Sequence, residues 1–367
     1  MNVKEKKTIS VGLIAAILLP LVLIGLFFLT RRSRAVMDLW VFSILRPVAQ
    51  AVGRLWSVVP FSGMEVLIVL CLAGSVLWLI RGLVLVIGQR DGRAFLRRIL
   101  ALAAVWLWLW CGLCWLWNVA YYASTFTQRS GLSREPYSVE QLARVTEYFA
   151  EQAARLSARV PRDEEGHFAQ TWRESIEHGP GVYENLVKIF PDLDMHGVKV
   201  KPLVCSRLQS ILGFTGMYFP FTGEANIIVD APACLIPVTI AHEMAHQRMV
   251  SSELEANFVG IAASVTGDDV VFQYSGYLHG LLELSNALYP VDKQRWNTVV
   301  KTYFTQELVT DWNDNHNYWK ALESPVEDAA GQAYDSFLKE NGQELGMKSY
   351  GACVDLLVNW FGPLAEG

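Results

Sequence analysis

The chain has 367 residues, of which 52% are hydrophobic and only 18% charged. With its positive mean hydropathy, that is too apolar for an ordinary soluble protein. The formal net charge of −5 gives no support to nucleic-acid binding. Residues 1–122 hold 13 Lys or Arg against 4 Asp or Glu, whereas 123–367 hold 18 against 32. Residues 1–124 therefore read as a basic-flanked membrane region associated with the lipid bilayer. Residues 125–367 read as one acidic domain large enough for its own core.

A bilayer crossing needs roughly 20 apolar residues in a helix. Transmembrane helices are predicted near 10–30, 62–84 and 100–122. The first carries no charge from Ser10 to Thr30. Arg31 and Arg32 follow it with no small-residue cleavage site, which reads as an anchor rather than a signal peptide. The second includes Arg81, whose stem can snorkel to the interface. The third is uncharged and carries five tryptophans, suited to interface anchoring or bundle packing. Between the first two, Ala35–Phe61 scatters Asp38, Arg46 and Arg54 among Trp, Phe, Leu and Val. Two readings stand for it: an interfacial amphipathic helix, or a short fourth span that would invert the orientation of the rest of the chain.

Arg81, Arg90, Arg93, Arg97 and Arg98 form the most compact basic cluster and favour a cytoplasmic loop. Lys4, Lys6 and Lys7 agree with that orientation; Arg31, Arg32, Arg34, Arg46 and Arg54 do not. Three crossings with the N-terminus inside place the domain outside the cytoplasm. Of six cysteines, only Cys205, Cys234 and Cys353 lie in the domain, so at most one bridge forms there and the redox compartment stays open.

In the domain, Tyr137–Arg159 repeats apolar residues at helical spacing, with Ser138 and Gln141 as a capping box. Gly166–Gly181 reads as loop, Gly181–Phe190 as a short helix, and Val198–Val204 and Gly223–Asp230 as strands. Helices are predicted from Pro237 through His246, then at Leu254–Thr266, Val271–Leu288, Asp292–Leu308, Val326–Glu340 and Ala352–Phe361. The fold class is thus a helical membrane region followed by a mainly helical α+β domain with a small sheet.

His242-Glu243-Met244-Ala245-His246 places two imidazoles four residues apart, on one helix face, where both reach one cation. Neutral imidazoles suit zinc. Glu243 is angled toward water beside the metal rather than the metal itself, as a general base for attack on a carbonyl requires. A catalytic zinc site wants a third protein ligand. Position 252 is serine, and Glu253 and Glu255 are the acidic candidates. Ser252 and Glu255 have capping-box spacing, which would occupy Glu255 and leave Glu253 free to face the histidines. Asn257, one turn on, is the candidate to accept a hydrogen bond from the outer nitrogen of His242. The link from His246 to Glu253 is short and demands a sharp turn at Met249–Ser252.

Asn226, Ile227, Ile228 and Val229 are the candidate edge strand for an extended substrate, with a buried structural strand as the other reading. Tyr274, Tyr277 and His279 are candidates to steady an oxyanion, with core packing as their alternative. Arg248 reads as a salt-bridge partner near the site or a solvated arginine. His167, His178, His196 and His316 lack ligand spacing and read as surface residues.

The stretches HEMAHQR (242–248), ELEAN-F (253–258) and PFTGEANI (220–227) carry a resemblance. So do SGYLHGLLELSNAL (275–288) and YDSFLKENGQELGMKSYGACVDLLVNWF (334–361). Together they resemble DUF3810, a family of bacterial membrane proteins regarded as zincin-like metallopeptidases. The resemblance implies a zincin-like domain, Zn2+, and location in a bacterial cell membrane. Glu253-Leu254-Glu255-Ala256 is similar to the ExxA element of zinc peptidases with a glutamate ligand, which implies Glu253 as third ligand. Asn257 stands where those peptidases carry Asp, and Met249 where family members often have Gly. The expected activity is hydrolysis of a peptide or protein substrate by a membrane-anchored zinc metallopeptidase, through Glu243-activated water. The alternative is a non-catalytic zinc-binding scaffold or sensor on the same fold, against which the intact Glu243 argues. Substrate preference and oligomeric state are not legible.

Overall fold

The structure, a computed structural model, describes residues 10–89, 92–195, 198–346 and 353–366. Lys4, Lys6, Lys7, Arg90, His196 and Ala352 lie outside the described residues. Among the described residues, four helices are long and apolar enough to cross a membrane: Val11–Thr30, Arg34–Trp56, Gly63–Gly88 and Gly92–Tyr122. The expected number was three. The additional one is the ambiguous segment, whose charges dilute its mean hydropathy to 1.3 against 2.9 for the first helix. It runs without a break through a π-wound stretch, Leu39–Leu45.

The first and last of these helices run parallel. Leu13 and Ala16 lie beside Ala101 and Val105, and at the other end Trp115 Nε1 donates to the Leu23 carbonyl at 3.0 Å. The helix Gly63–Gln89 runs antiparallel to the last one, with Trp78 Nε1 on the Arg98 carbonyl at 3.1 Å. The domain grips this bundle through polar contacts. Glu224 accepts from the amides of Gly63 and Met64, capping the third helix. Glu65 accepts from the amides of Val204 and Cys205. Asp192 pairs with both Arg46 and Arg129.

The helix Val139–Ser157 forms with its capping box as expected, and Leu142, Val145, Phe149, Ala153 and Leu156 are all buried. Each large apolar side chain on that face contributes about 1.5–3 kcal/mol by burial. The helix packs along Val270–Val291. The region expected to be loop contains a further helix, Trp172–His178, capped by Thr171 and Glu174. The expected helix Asp292–Leu308 is two: Lys293–Tyr303 ends before Phe304, and Thr305 caps a new helix, Gln306–Lys320.

The sheet has three strands in the order β1-β3-β2: β1 (Lys201–Pro202), β2 (Gly216–Phe219) and β3 (Glu224–Ile227). β1 is parallel to β3 and β2 is antiparallel to it. β3 is therefore central and wholly buried, which corrects the expected edge strand at Asn226–Val229. A strand paired on both sides has no free backbone to offer a substrate. The edges are β1 and β2, and β2 is too short and glycine-led to register as a strand in sequence.

Candidate metal centre

Ile236–Gln247 carries the motif, with Pro237 in its first turn, where a missing N–H costs nothing. His242 and His246 lie on one face, their ring centroids 4.8 Å apart. After Gln247 the chain reverses at once. Met249 adopts φ 60°, a left-handed conformation disfavoured for a residue with a Cβ, and the amide of Val250 returns to the Ala245 carbonyl. This turn lets so short a link bring Glu253, first residue of the helix Glu253–Thr266, back over the histidines.

Glu253 Oε2 lies 3.3 Å from His242 Nε2 and 3.5 Å from His246 Nε2. Ligand atoms around a tetrahedral zinc at 2.0–2.2 Å stand roughly 3.3–3.6 Å from one another. All three candidate ligand atoms fall within 4.8 Å of one another, and Glu253 Oε2 is buried without a hydrogen bond of good geometry. Two imidazole nitrogens and a carboxylate oxygen that converge at these distances fit a cation. The His246 ring is fixed from behind, Nδ1 lying 2.7 Å from the Val250 carbonyl, which leaves Nε2 to face Glu253 and His242. Burial opposes charge on both His246 and Glu253. Their mutual attraction overcomes it, raising the imidazole to about 9 and holding the carboxyl below its usual range.

Glu243 sits in the same cavity. Its Oε2 is buried and has no hydrogen-bond partner among the described residues. Burial pushes its carboxyl up to about 7, against the pull of the two histidines. Gly216 at the start of β2 makes room for it: a Cβ there would lie 2.7 Å from the carboxyl carbon of Glu243. The cavity is about 690 Å³, and β2, Asn257, His279 and Tyr334 contribute to its walls. Tyr334 donates its hydroxyl to Glu253 Oε1 at 2.7 Å, which orients the other oxygen toward the histidines.

Several sequence expectations change here. The capping box at Ser252 is not formed by its side chain. Glu255 is committed to backbone, but that of another helix: it accepts from the amides of Phe126 and Thr127, each at 2.8 Å. Tyr274 donates to Asp311, which also pairs with Arg162, and Tyr277 lies beside Tyr148; neither lines the cavity. Of the three oxyanion candidates only His279 does, and burial lowers its pKa to about 4, so it is neutral near pH 7. Asn257 is one turn beyond Glu253 in the cavity wall. Arg248 is not solvated and has no salt bridge among the described residues: it is buried over the Tyr183 ring and donates to the carbonyls of Leu193 and Met244. His167, His178 and His316 lie outside the cluster. The sequence reading missed Gly216, Tyr334 and the Val250 carbonyl. Tyr334 stands 81 residues from Glu253, so no local spacing links them.

Residues 41–358, most of the chain, match the family described as Protein of unknown function (DUF3810). The chain belongs to the DUF3810 family. No curated protein and no solved structure matches it. The part of this DUF3810 protein that matches contains the two histidines, Glu243, Glu253, β2 and Tyr334, together with the last two of the four apolar helices and most of the second.

Proposed function

We propose that this DUF3810 protein is a membrane-anchored zinc metallopeptidase, with residues 125–367 as its catalytic domain and Glu243 as general base. The observation that carries the reading is the unpartnered, buried Oε2 of Glu243 in the same cavity as His242, His246 and Glu253. The three side chains would hold zinc, and a bound zinc would supply a Lewis acid for the scissile carbonyl. Glu243 takes a proton from water as the water oxygen bonds to the carbonyl carbon. As the C–N bond breaks, the same carboxyl passes that proton to the departing nitrogen. His279 is the group we assign to the developing oxyanion. β2, with its free edge toward the cavity, would pair with an extended peptide. Asn257 and Tyr334 would steady the ligands.

We further propose three bilayer crossings in a bacterial membrane, with the domain on the extracytoplasmic side. Two of the five arginines that depart from the orientation rule have structural employment. Arg31 donates to the Tyr122 hydroxyl and Arg46 pairs with Asp192, so they report on docking rather than on sidedness.

The test uses a peptide library, detergent-purified protein and mass spectrometry. Glu243→Gln should retain zinc and lose about 10²- to 10⁴-fold in kcat, because a proton-transfer group has gone. Gly216→Ala, which crowds Glu243 without removing it, should lose about 10²-fold with zinc retained. Equal turnover by parent and Glu243→Gln protein would refute the mechanism. Full zinc occupancy with no peptide ever cut would favour the scaffold.

A further inference from the structure

The helix Arg34–Trp56 is apolar enough to cross a bilayer, yet both its ends are fastened to one side of the molecule. Near its start, Asp38 accepts from the amide and hydroxyl of Ser124, at 2.6 and 2.7 Å. At its end, the Trp56 carbonyl accepts from Lys201 Nζ at 3.0 Å. Its neighbours mark the same level. The first span ends at Arg31, 2.7 Å from the hydroxyl of Tyr122, which in turn reaches the Glu340 carbonyl of the domain. The third begins at Gly63, bound to Glu224 of β3. A segment that departs and returns at one level crosses nothing.

The side chains agree. Met37, Val41, Leu45, Ala49 and Gly53 are buried at every fourth position, in one stripe. Away from that stripe, Leu39 is 62% exposed, Val48 52% and Leu55 74%. Arg34 and Arg54 are exposed among them. A helix with one face packed and an apolar, basic-flanked remainder has the composition of one lying in the bilayer interface. Lipid is the occupant this surface fits, because spans leave the bilayer at both of its ends.

The cleft stands at that level too. Leu113 and Trp117, from the end of the last span, form part of its wall. The Trp117 ring packs edge-on against His246, with centroids 5.6 Å apart. The tip of the β2–β3 hairpin reaches down beside the span, where a Cβ on Gly112 would meet the Phe221 ring at 2.6 Å. Gly112 lies about 6 Å inside the helix from Leu116, one turn at 1.5 Å per residue. Phe214, Phe219, Pro220 and Phe337 continue the apolar lining.

We propose that the cleft works at the bilayer surface on the juxtamembrane segment of a membrane-anchored polypeptide. The helix Arg34–Trp56 lies in the interface as the platform that holds the cleft there. The substrate half rests on the peptidase reading; the placement half does not.

The experiment has two arms, both on the full chain in phospholipid vesicles. In the first, nitroxide labels at Leu39, Val48 and Leu55 are compared with one at Leu21 inside the first span. Depth is read from collisions with oxygen and with a water-soluble nickel chelate. The three labels should share one shallow depth, well above Leu21. A depth that passes through the bilayer centre between Leu39 and Leu55 would overturn the platform. In the second arm, a peptide cut by the parent protein is fused to a synthetic transmembrane anchor through polar spacers of about 3 to 30 residues. A cleft at the surface should cut the shortest spacers, with rates declining slowly as length dilutes the local concentration. A cleft held away from the bilayer would leave short spacers uncut until the spacer spans the gap, and that result would overturn the substrate class. If no peptide is cut at all, the peptidase reading fails while the depth arm still decides the placement.

Discussion

Gly260 lies so close to His242 that a Cβ built on it would stand 2.9 Å from that histidine's own Cα and backbone nitrogen. The helix carrying Glu253 and the helix carrying His242 and His246 therefore touch backbone to backbone. Gly260→Ala should force them apart. Overpacking of this kind costs about 1–3 kcal/mol, and the separation falls on the distance from Glu253 to the histidines. Zinc content after dialysis should drop in this variant while the far-ultraviolet circular dichroism is retained. Unchanged zinc content would show that the helix contact does not set the ligand spacing.

Glu253 and Glu255 are two residues apart and have separate tasks, and replacing each should expose them. Glu253→Ala removes a ligand and should strip zinc. Glu255→Ala leaves the amides of Phe126 and Thr127 without their acceptor, at about 1–3 kcal/mol of stability. It should lower the melting temperature yet bind zinc normally below the transition. Metal analysis and thermal unfolding on both variants check the assignment, and equal zinc loss in the two would contradict it.

Much of this was legible because it is local. The spacing of His242 and His246, the cap at Ser138 and the face Leu142–Leu156 follow from helix periodicity alone. What escaped depends on pairs far apart in the chain. Nothing near Gly216 or Gly260 says that the Glu243 carboxyl or the backbone of His242 will press against them. The real partner of Glu255 lies more than a hundred residues away, so a nearby serine looked sufficient. The helix Arg34–Trp56 was ambiguous for a related reason: hydropathy measures how apolar a segment is, while its direction is set by where Asp38 and Lys201 are anchored.

Met249 presents two opposing effects that magnitudes decide. Relief of its left-handed backbone by Met249→Gly is worth about 1 kcal/mol. Its side chain is 2% exposed and packs with residues of the membrane helices, and deleting such a side chain costs about 2–5 kcal/mol. The variant should be net destabilised, by roughly 1–4 kcal/mol on those figures. Chemical unfolding in detergent measures it. A stabilised variant would mean that the backbone strain is the larger quantity.

Asp192 gives an acid sensitivity to the contact between the platform helix and the domain. Burial works to raise its carboxyl, but Arg129 and Arg46 overcome that and hold it below the usual range. A folded-state pKa below the unfolded value contributes stability that is present above the unfolded value and lost as pH falls through the folded one. Parent protein should therefore lose more stability than Asp192→Asn between about pH 5 and pH 2. The difference in melting temperature between the two should shrink across that window. A constant difference would show that the pair does not act through charge.

The cluster around Met249 has a consequence for any release of the domain. Phe27, Met37, Val41, Leu45 and Ala49 close over the turn that joins His246 to Glu253, and Ser251 holds the Ala120 carbonyl. Apart from Ser251 these groups belong to the anchor, yet they are the inner lining of the domain. A protease that shed the domain by cutting after residue 124 would strip the cover from the very turn that assembles the ligands. On the peptidase reading the activity is built to stay where it is bound, and clipping the tether would extinguish it rather than set it free.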